Sequence, residues 1–424
     1  MRSLRNWWDD TAGGLPATFW YLWAGLLINR AGGFAMLFLS LYLTEARGAS
    51  ESLAGAVVGA YGIGGAGGVL LGGVLADRWG RRATLVAAHL ATAGLLVALA
   101  FSRHLVMIAA LAALLGVVHS MPSPAFVAAI VDVVPEQRRS RAFNLQFWAF
   151  NLGMAVASLL AGLLAEASFV ALFLVDAAAT LTAAVVIAVK VPETLLRRRV
   201  AGAPLPAGGR RDRPPGLHTA LTDRTFLTFV GLTLVLAVLT LQTSTIMPLA
   251  MRDDGLRPSA YGAVVALGGV LIVLGQLFVP RLIDGHRRDR VLAVSTALLG
   301  AGFTALAVAD DLPVYLVAAV VWTVGQMLAA PPNAQINADL APPELRARYQ
   351  AVFYLAFPVA SFVAPALGGV SLQYLGERHW LIVGGLGFLA AVGHLVTGPA
   401  RERRVAALRR AVADRREPAL AADG

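Results

Sequence analysis

The chain contains no cysteine, and lysine occurs only once, at Lys190. The absence of cysteine excludes disulfides, thiolate nucleophiles and cysteine-ligated zinc sites. Charged residues are also scarce: they make up 14% of the chain, whereas soluble domains contain about 25%. Hydrophobic residues make up 58%, and the mean hydropathy is +0.69. We therefore expect most of the chain to lie in lipid.

Long apolar segments recur along the whole chain. A helix needs about 20 apolar residues to cross a bilayer. We predict twelve such segments, near residues 17–44, 53–76, 83–101, 104–131, 142–165, 168–190, 225–250, 259–283, 291–309, 313–332, 347–375 and 379–398. The predicted fold class is an all-α membrane protein with twelve transmembrane helices.

The basic residues are distributed unevenly between the loops. Of 35 basic residues, 29 lie on the side of the termini and five in the opposite loops, and Arg30 lies inside a segment. Cytoplasmic loops are enriched in basic residues, so we expect both termini in the cytoplasm and the protein in the plasma (inner) membrane. The net charge of +10 then reflects topology, and we expect no nucleic-acid partner.

The two halves of the chain are copies of each other. Several residue pairs share one spacing of 207 residues: Asp77 and Asp284, Asp132 and Asp339, Pro135 and Pro342, Arg139 and Arg346, Arg141 and Arg348, Gly162 and Gly369. One gapless spacing across several loops indicates two six-helix bundles related by a pseudo-two-fold axis, as in some transporters. The predicted domains are 1–191, a linker at 192–224 rich in Pro, Gly and Arg, 225–398, and a cytoplasmic tail at 399–424.

The loop between the second and third segments has the sequence Gly-Val-Leu-Ala-Asp-Arg-Trp-Gly-Arg-Arg, starting at Gly73. We expect Gly73 to permit close helix packing and Gly80 to permit a tight turn. Asp77 lies among arginines, so it can form ion pairs in one conformation and lose them in another. The alternative is a charged turn that only follows the distribution of basic residues.

This loop resembles the signature loop of the major facilitator superfamily, G-x-L-A-D-R-x-G-R-R. The segment around Asp132 resembles that family's loop between spans 4 and 5, and the resemblance covers essentially the whole chain. It implies a charge network that favours one transport state. The predicted switch residues are Gly73, Asp77, Arg78, Gly80, Arg81, Arg82, Asp132, Arg138, Arg139, Arg141 and Asp284.

Within that family, the stretch from Asn29 to Phe34 resembles twelve-span drug:proton antiporters. The antiporter pattern G-x-x-x-G-P-x-x-G-G corresponds to Gly153–Gly162 but lacks the proline here. Pro365 with Gly368 and Gly369 restores the pattern in the eleventh segment.

Arg30 and Asp176 are the two full charges expected deep inside segments. A charge at mid-membrane costs about 2.5–3.5 kcal/mol, so such groups pair or face water. Both lie about 20 Å from the same membrane face at 1.5 Å per residue. We expect them to pair or to share a water-filled cavity, with one of them coupling protons to transport. The alternative is a static ion pair that fixes helix packing.

Uncharged polar side chains supply the substrate-cavity candidates. Asn144, Trp148 and Asn151 share one helix face of the fifth segment, which either lines a cavity or contacts another helix. The other candidates are Asn29, Thr240, Gln242, Gln276, Gln326 and Tyr354.

The sequence contains no nucleotide-binding motif, so we expect no cofactor and no metal, and a transporter driven by an ion gradient. The predicted function is proton-coupled efflux of small amphipathic molecules by a monomer in the lipid bilayer, with alternating access. The alternatives are transport of a defined metabolite, such as a sugar, organic acid or peptide, and a membrane enzyme or receptor.

Overall fold

The computed structural model describes residues 13–194, 218–275, 278–342 and 345–422. Every regular element within these ranges is helical, and twelve helices are long and apolar enough to cross a membrane. These spans, numbered 1 to 12 in chain order, are Ala17–Ala46, Glu51–Arg78, Arg81–Phe101, Leu105–Val133, Arg141–Ala167, Phe169–Lys190, Arg224–Thr245, Pro258–Gly275, Arg288–Val308, Leu312–Leu340, Arg348–Leu375 and Arg378–Leu408. The predicted twelve spans and all-α class are confirmed.

Several boundaries differ from the expected ones. Span 10 continues beyond residue 332 with Pro331 and Pro332 inside the helix, because packed neighbours can satisfy backbone groups that proline frees. The helix of span 12 continues to Ala422, through most of the predicted tail. Within the predicted linker, His218–Thr222 is helical, and residues 195–217 lie outside the described part.

Span 1 is interrupted in the middle. Its first helix is Ala17–Ala31, its second is Ala35–Leu41, and a π-helical turn follows at Tyr42–Ala46. Gly32 and Gly33 occupy the break. The backbone N–H groups that open the second helix therefore need partners from outside span 1.

The chain divides into two compact units. Unit 1 contains Met1–Gly208, Thr243–Val273 and Phe362–Tyr374, and unit 2 contains Gly209–Gln242, Leu274–Ser361 and Leu375–Gly424. We call the end where span 1 begins the basic end and the opposite one the far end. Unit 1 thus combines spans 1–6 with far-end segments of spans 7, 8 and 11. The predicted domain boundaries stay a prediction.

In unit 1, span 2 packs closely on span 4. A Cβ added at Gly64, Gly68 or Gly72 would overlap the backbone of span 4, for example at Met121. Gly73, which we expected to permit close packing, has no described atom within 4 Å of its Cβ position. The close contact is made by Gly72, one residue earlier, because neighbouring residues point to different sides of a helix.

The far end of unit 1 contains two equivalent helix crossings. A Cβ at Gly55 in span 2 would overlap the carbonyl of Pro365 in span 11, and one at Gly262 in span 8 would overlap the carbonyl of Ser158 in span 5. Gly55 and Gly262 are 207 residues apart, and so are Ser158 and Pro365. The repeat in the sequence is therefore also a repeat in packing.

Hydrogen bonds at these crossings follow the same repeat. Gln373 accepts from the backbone N of Ser52 at 3.1 Å, and Glu166 accepts from the backbone N of Ser259 at 3.1 Å. Both donors and both acceptors are again 207 residues apart. These contacts close the far end of unit 1 between spans 1–6 and the segments from spans 8 and 11.

Unit 2 is organised around spans 9, 10 and 12. The rings of Trp322 and Trp380 stack on Phe303 at 5.5 and 6.0 Å, with planes within 5°. Gly300 and Gly387 let spans 9 and 12 approach closely. This packing joins spans 9, 10 and 12 of unit 2.

Candidate functional site

A small polar cavity of about 100 Å³ lies inside unit 1, and we call it the charged cavity. Its lining polar and aromatic side chains are Asn29, Arg30, His89, Thr92, His119, Ser123, Phe126, Gln146, Phe150 and Thr180. They come from spans 1, 3, 4, 5 and 6, so the tertiary fold assembles the cavity.

Arg30 supplies the fixed positive charge. Its Cζ lies 4.8 Å from the centre of the Phe150 ring, a cation–π contact. Its buried Nε has no hydrogen-bond partner among the described residues. Gly153 in span 5 leaves room for this side chain, since a Cβ there would be 2.5 Å from the Cβ of Arg30.

Asp176 in span 6 is 5% exposed, and its carboxylate accepts hydrogen bonds from the backbone at the break in span 1. Its Oδ2 accepts hydrogen bonds from the backbone N–H groups of Phe34 at 3.0 Å and Ala35 at 2.9 Å. Its Oδ1 lies 3.4 Å from the hydroxyl of Thr180, which also accepts from Asn29 at 3.1 Å. Asp176 thus caps the helix Ala35–Leu41, where a negative charge is favoured.

The expected ion pair between Arg30 and Asp176 is not formed in this structure. No ion pair within 4.0 Å joins these two described residues. The carboxylate instead satisfies two backbone donors that the break in span 1 leaves open. A role in proton coupling stays a prediction for both residues.

His119 has a hydrogen-bond partner that was not predicted from the sequence. The hydroxyl of Tyr61 in span 2 lies 2.6 Å from Nδ1 of His119 in span 4. In span 3, Nδ1 of His89 lies 2.6 Å from the carbonyl of Leu85. Only an indirect signal for this contact is present in the sequence. Gly64, Gly68 and Gly72 allow span 2 to pack closely on span 4, and this packing places Tyr61 beside His119.

The predicted face of span 5 does not line the charged cavity. Asn144 is exposed, Trp148 is half-buried, and Asn151 donates to the carbonyl of Phe147 in its own helix at 2.9 Å. Gln146 and Phe150 line the cavity instead. Regular helical spacing identified residues that share a face but not which face points inward.

Unit 2 contains a larger cavity of about 580 Å³, which we call the neutral cavity. None of its described lining residues is Asp, Glu, Lys, Arg or His. The polar and aromatic lining residues are Thr233, Thr240, Gln326, Asn333, Asn337, Gln350, Phe353, Tyr354, Phe357 and Ser361.

Three of the predicted candidates in the second half line this cavity: Thr240, Gln326 and Tyr354. Gln242 does not line it, and its side chain is buried at 3% exposure. Gln276 lies outside the described residues. Tertiary packing thus distinguishes the polar residues that face the cavity from those in the core.

The two cavities occupy equivalent places in the repeat. Lining residues of one correspond to lining residues of the other at a spacing of 207: Leu26 and Thr233, Asn29 and Leu236, Arg30 and Ala237, His119 and Gln326, Pro122 and Ala329, Ser123 and Ala330, Phe126 and Asn333, Gln146 and Phe353, Phe150 and Phe357. The charged groups of the first copy are therefore replaced by uncharged groups in the second.

The switch residues of the first copy form a network at the basic end. The Nε of Arg81 lies 3.0 Å from Asp132, and both side chains are under 8% exposed. Asp77 is 78% exposed and lies 3.5 Å from Arg81. Glu193, which the sequence analysis missed, accepts from the backbone N–H of Arg81 at 2.9 Å and of Arg82 at 3.1 Å. Gly80 has φ +109°, as a tight turn requires.

Part of this network is repeated in unit 2. Arg288 and Asp339, the equivalents of Arg81 and Asp132, are 2.5 Å apart. Asp284 is exposed and accepts from the N–H of Gly285 at 3.0 Å. The second copy therefore keeps the central ion pair.

The remaining predicted switch residues lie around the first network. Arg78 and Arg138 are exposed, and Arg138 donates to the carbonyl of Gly14. Arg139 donates to the carbonyl of Val131 at 3.1 Å, and Arg141 is half-buried at the start of span 5.

Comparison with known proteins identifies the family. The model of the Major Facilitator Superfamily matches residues 22–249 and 229–421. The chain belongs to this superfamily. It is a multi-pass membrane transporter and not an enzyme.

Curated relatives are distant but cover most of the chain. An uncharacterized MFS-type transporter, YhjO of Bacillus subtilis, is 26% identical over 83% of this chain and 85% of its own length. A Na(+), Li(+), K(+)/H(+) antiporter of Planococcus maritimus is 26% identical over 77% and 83%. The multidrug resistance protein MdtH of Aeromonas salmonicida is 23% identical over 87% and 92%.

The fold also resembles solved structures. The crystal structure of the peptide transporter POT in complex with sulfate matches with a TM-score of 0.73 at 16% identity, covering 93% of this chain and 99% of that one. At this identity the similarity shows the shared fold alone.

Proposed function

We propose that this transporter exports small amphipathic molecules in exchange for protons, by alternating access. The observation that carries the proposal is the difference between the two equivalent cavities. The copy in unit 1 contains Arg30 and two histidines, close to the buried carboxyl of Asp176. The copy in unit 2 is larger and has no charged lining residue.

The neutral cavity suits an uncharged or amphipathic organic molecule. Its volume of about 580 Å³ falls within the range of about 300–1,000 Å³ found for small-molecule sites. The rings of Phe353, Tyr354 and Phe357 lie within 5.5 to 6.1 Å of each other and form an apolar wall. Amide side chains such as Asn337 and Gln350, which are joined at 2.9 Å, supply the polar contacts.

Asp176 is the proposed proton site. It is a buried carboxyl, and protonation would remove its charge and weaken the two hydrogen bonds that it accepts. These bonds hold the helix Ala35–Leu41, which packs against Met247–Asp253. Phe38 of that helix contacts Tyr261 of span 8 at 5.2 Å between ring centres.

This connection links proton binding to closure of the far end. Backbone N–H donors favour the ionised form of a carboxylate. The far-end-closed arrangement therefore favours proton release, and an arrangement that breaks these bonds favours proton uptake. If the far end faces outward, as the basic residues predict, protons bind from outside and leave towards the cytoplasm.

The printed descriptions of two relatives agree with this proposal. MdtH is described as a multidrug resistance protein, and the Planococcus maritimus protein as a cation/proton antiporter. Both are distant relatives, so they support the class of transport and leave the substrate open.

Arg30 favours a second candidate function. A guanidinium with an unsatisfied Nε in a cavity can bind the carboxylate of a small organic acid. In that case the charged cavity holds part of the substrate, and the protein transports a defined metabolite.

The experiment is a transport assay in inside-out vesicles with an imposed pH gradient. A panel of lipophilic cations, neutral amphipathic compounds and small organic acids is tested with the natural protein and with Arg30→Gln. The first proposal expects amphipathic compounds to be taken up with proton release, while acids are not transported. Uptake of acids alone, lost in Arg30→Gln, would establish the second candidate and refute the first.

We also propose a monomer in the plasma membrane with both termini in the cytoplasm. Because the chain has no cysteine, single cysteines give a clean test of topology. In intact cells, a membrane-impermeant thiol reagent should label Asp310→Cys, between spans 9 and 10, and leave Glu136→Cys, between spans 4 and 5, unlabelled. The opposite pattern would reverse the orientation, and a dimer by light scattering in detergent would contradict the monomer.

A further inference from the structure

A third cavity, of about 590 Å³, lies at the basic end of unit 2 and is separate from the neutral cavity. It is lined by residues 286–289 around the start of span 9, by Ile336 of span 10 and by residues between 398 and 410, where the helix of span 12 continues past its apolar part. Its titratable lining residues are His286, Arg287, Arg288, Asp289, Arg401, Glu402 and Arg410.

The lining has an excess of positive charge. It contains four arginines and two carboxylates. Asp289 is occupied by Arg287, which approaches its two carboxylate oxygens at 3.2 and 2.8 Å. Glu402 is 56% exposed and lies 3.7 Å from the same arginine. Arg288 is also paired, with Asp339 at 2.5 Å. Arg401 and Arg410 are therefore the cations of the lining that can attract an anion.

Arg401 is the fixed cation of this site. It is 3% exposed, and its Nη2 donates to the carbonyl of His394 at 2.9 Å. Its Cζ lies 5.7 Å from the centre of the Phe229 ring. No carboxylate of the described residues lies within 4.0 Å of this guanidinium. Its orientation is thus set by neutral groups, and its charge is available to a ligand.

Further along spans 9 and 12 from the cavity, exposed apolar side chains follow the basic residues. Val294 in span 9 is 54% exposed and lies seven residues after Arg287, the N-cap of that helix. Leu395 in span 12 is 48% exposed and lies seven residues before Glu402. A soluble anion would not contact these apolar side chains, whereas the acyl chains of a lipid with its headgroup in the cavity would pack along them.

We propose that this cavity binds the phosphate-bearing headgroup of an anionic phospholipid. Arg401 and Arg410 contact the phosphate, and the acyl chains follow Val294 and Leu395. The basic end is predicted to face the cytoplasm, and the cytoplasmic leaflet contains the anionic lipids. The bound lipid would tie the extension of span 12 to the start of span 9.

The test is a lipid titration of the purified full-length protein, followed by native mass spectrometry. The probes are dioleoyl phosphatidylglycerol and dioleoyl phosphatidylcholine, and inorganic phosphate is tested separately by thermal shift. We expect tighter binding of phosphatidylglycerol. Arg410 is proposed to contact the phosphate directly, and a hydrogen bond to a charged group contributes about 1.5–3 kcal/mol, so Arg410→Gln should weaken this binding by about tenfold or more.

Two further variants distinguish an effect on lipid binding from a loss of folding. Glu402→Gln removes a competing anion and should tighten phosphatidylglycerol binding. Arg403→Gln removes an exposed arginine of the same helix that does not line the cavity, and should leave binding unchanged.

Equal affinity for the two lipids would overturn the proposal. So would equal effects of Arg410→Gln and Arg403→Gln, since the charge of the helix and not the cavity would then attract the lipid. Stabilisation by inorganic phosphate without preference for phosphatidylglycerol would assign the cavity to a soluble anion and overturn the lipid assignment.

Discussion

The two cavities of this transporter are lined from equivalent positions in two copies of one six-helix sequence. One lining contains an arginine and two histidines, whereas the described lining of the other is uncharged. Arg30 corresponds to Ala237, and His119 corresponds to Gln326. Phe150 and Phe357 are the same residue type in both copies. The repeat thus keeps one aromatic position while the charged ones diverge, as expected if one copy handles an ion and the other an organic molecule.

The helix crossings and the basic-end ion pairs did not diverge in this way. Gly55 and Gly262 make equivalent close contacts, and Arg81 and Arg288 contact equivalent aspartates. A conformational change shared by both copies would require matched packing, whereas binding different ligands would not. Substitutions at equivalent positions of the two copies test this division.

Replacing Asp176 by Asn should abolish proton-driven transport. The amide oxygen still accepts from the N–H groups of Phe34 and Ala35, so the cap is kept while the protonatable group is lost. Substrate counterflow without a pH gradient should continue. The control is Val383→Asn, at the equivalent position in the second copy, which should keep proton-driven transport. Unchanged gradient-driven transport in Asp176→Asn would remove this residue from coupling.

The two basic-end ion pairs should differ in strength. Arg81→Gln removes the buried cation that lies 3.0 Å from Asp132, while Thr194 still donates to this carboxylate, and should lower the free energy of unfolding by about 3 kcal/mol. Arg288→Gln should cost about 0–1 kcal/mol, because that side chain is 42% exposed. Unfolding in detergent measures both. Similar losses would show that burial does not distinguish the copies.

Filling either far-end crossing should destabilise the closed far end by about 1–3 kcal/mol, as overpacking does. Gly55→Val and Gly262→Val should therefore reduce transport to similar extents. The control is Gly67→Val in span 2, whose Cβ meets no described atom within 4 Å. Labelling of a single cysteine at Ser52 would report the opening. Strong inhibition by only one of the two substitutions would show that the two crossings are not equivalent in transport.

The equivalent phenylalanines should have different kinetic effects. Phe357→Leu removes part of the aromatic wall, worth about 0.5–1.5 kcal/mol, and should raise KM about two- to tenfold. Phe150→Leu removes the cation–π contact of Arg30 in the charged cavity. It should change the pH dependence of transport with little change in KM, because the proposed substrate site in the neutral cavity is not altered. A KM effect in both variants would place substrate in both cavities.

Much of the fold could be predicted from the sequence. Hydropathy identified twelve spans, and the spacing of 207 residues identified two copies. The same spacing later matched the crossings at Gly55 and Gly262 and the cavity positions. Boundaries were harder to predict, as at Pro331 and Pro332, because packing within the membrane stabilises helices that proline would end in water.

The site was predicted only in part. Thr240, Gln326 and Tyr354 line the neutral cavity, and Arg30 lines the charged one. The face of span 5 was assigned to Asn144, Trp148 and Asn151, while Gln146 lines the cavity. In a soluble helix the polar face marks solvent, but a membrane helix is apolar on most sides, so periodicity does not orient it.

The sequence by itself determined the number of spans, the internal repeat, the signature loop and the two charges that lie within the membrane, because hydropathy and spacing are properties of the chain alone. Only the tertiary structure decided which partner Asp176 binds. Its carboxylate meets the amides of Phe34 and Ala35 because span 1 breaks beside span 6. That contact joins residues over 140 positions apart, and it depends on helix orientation that no local pattern encodes.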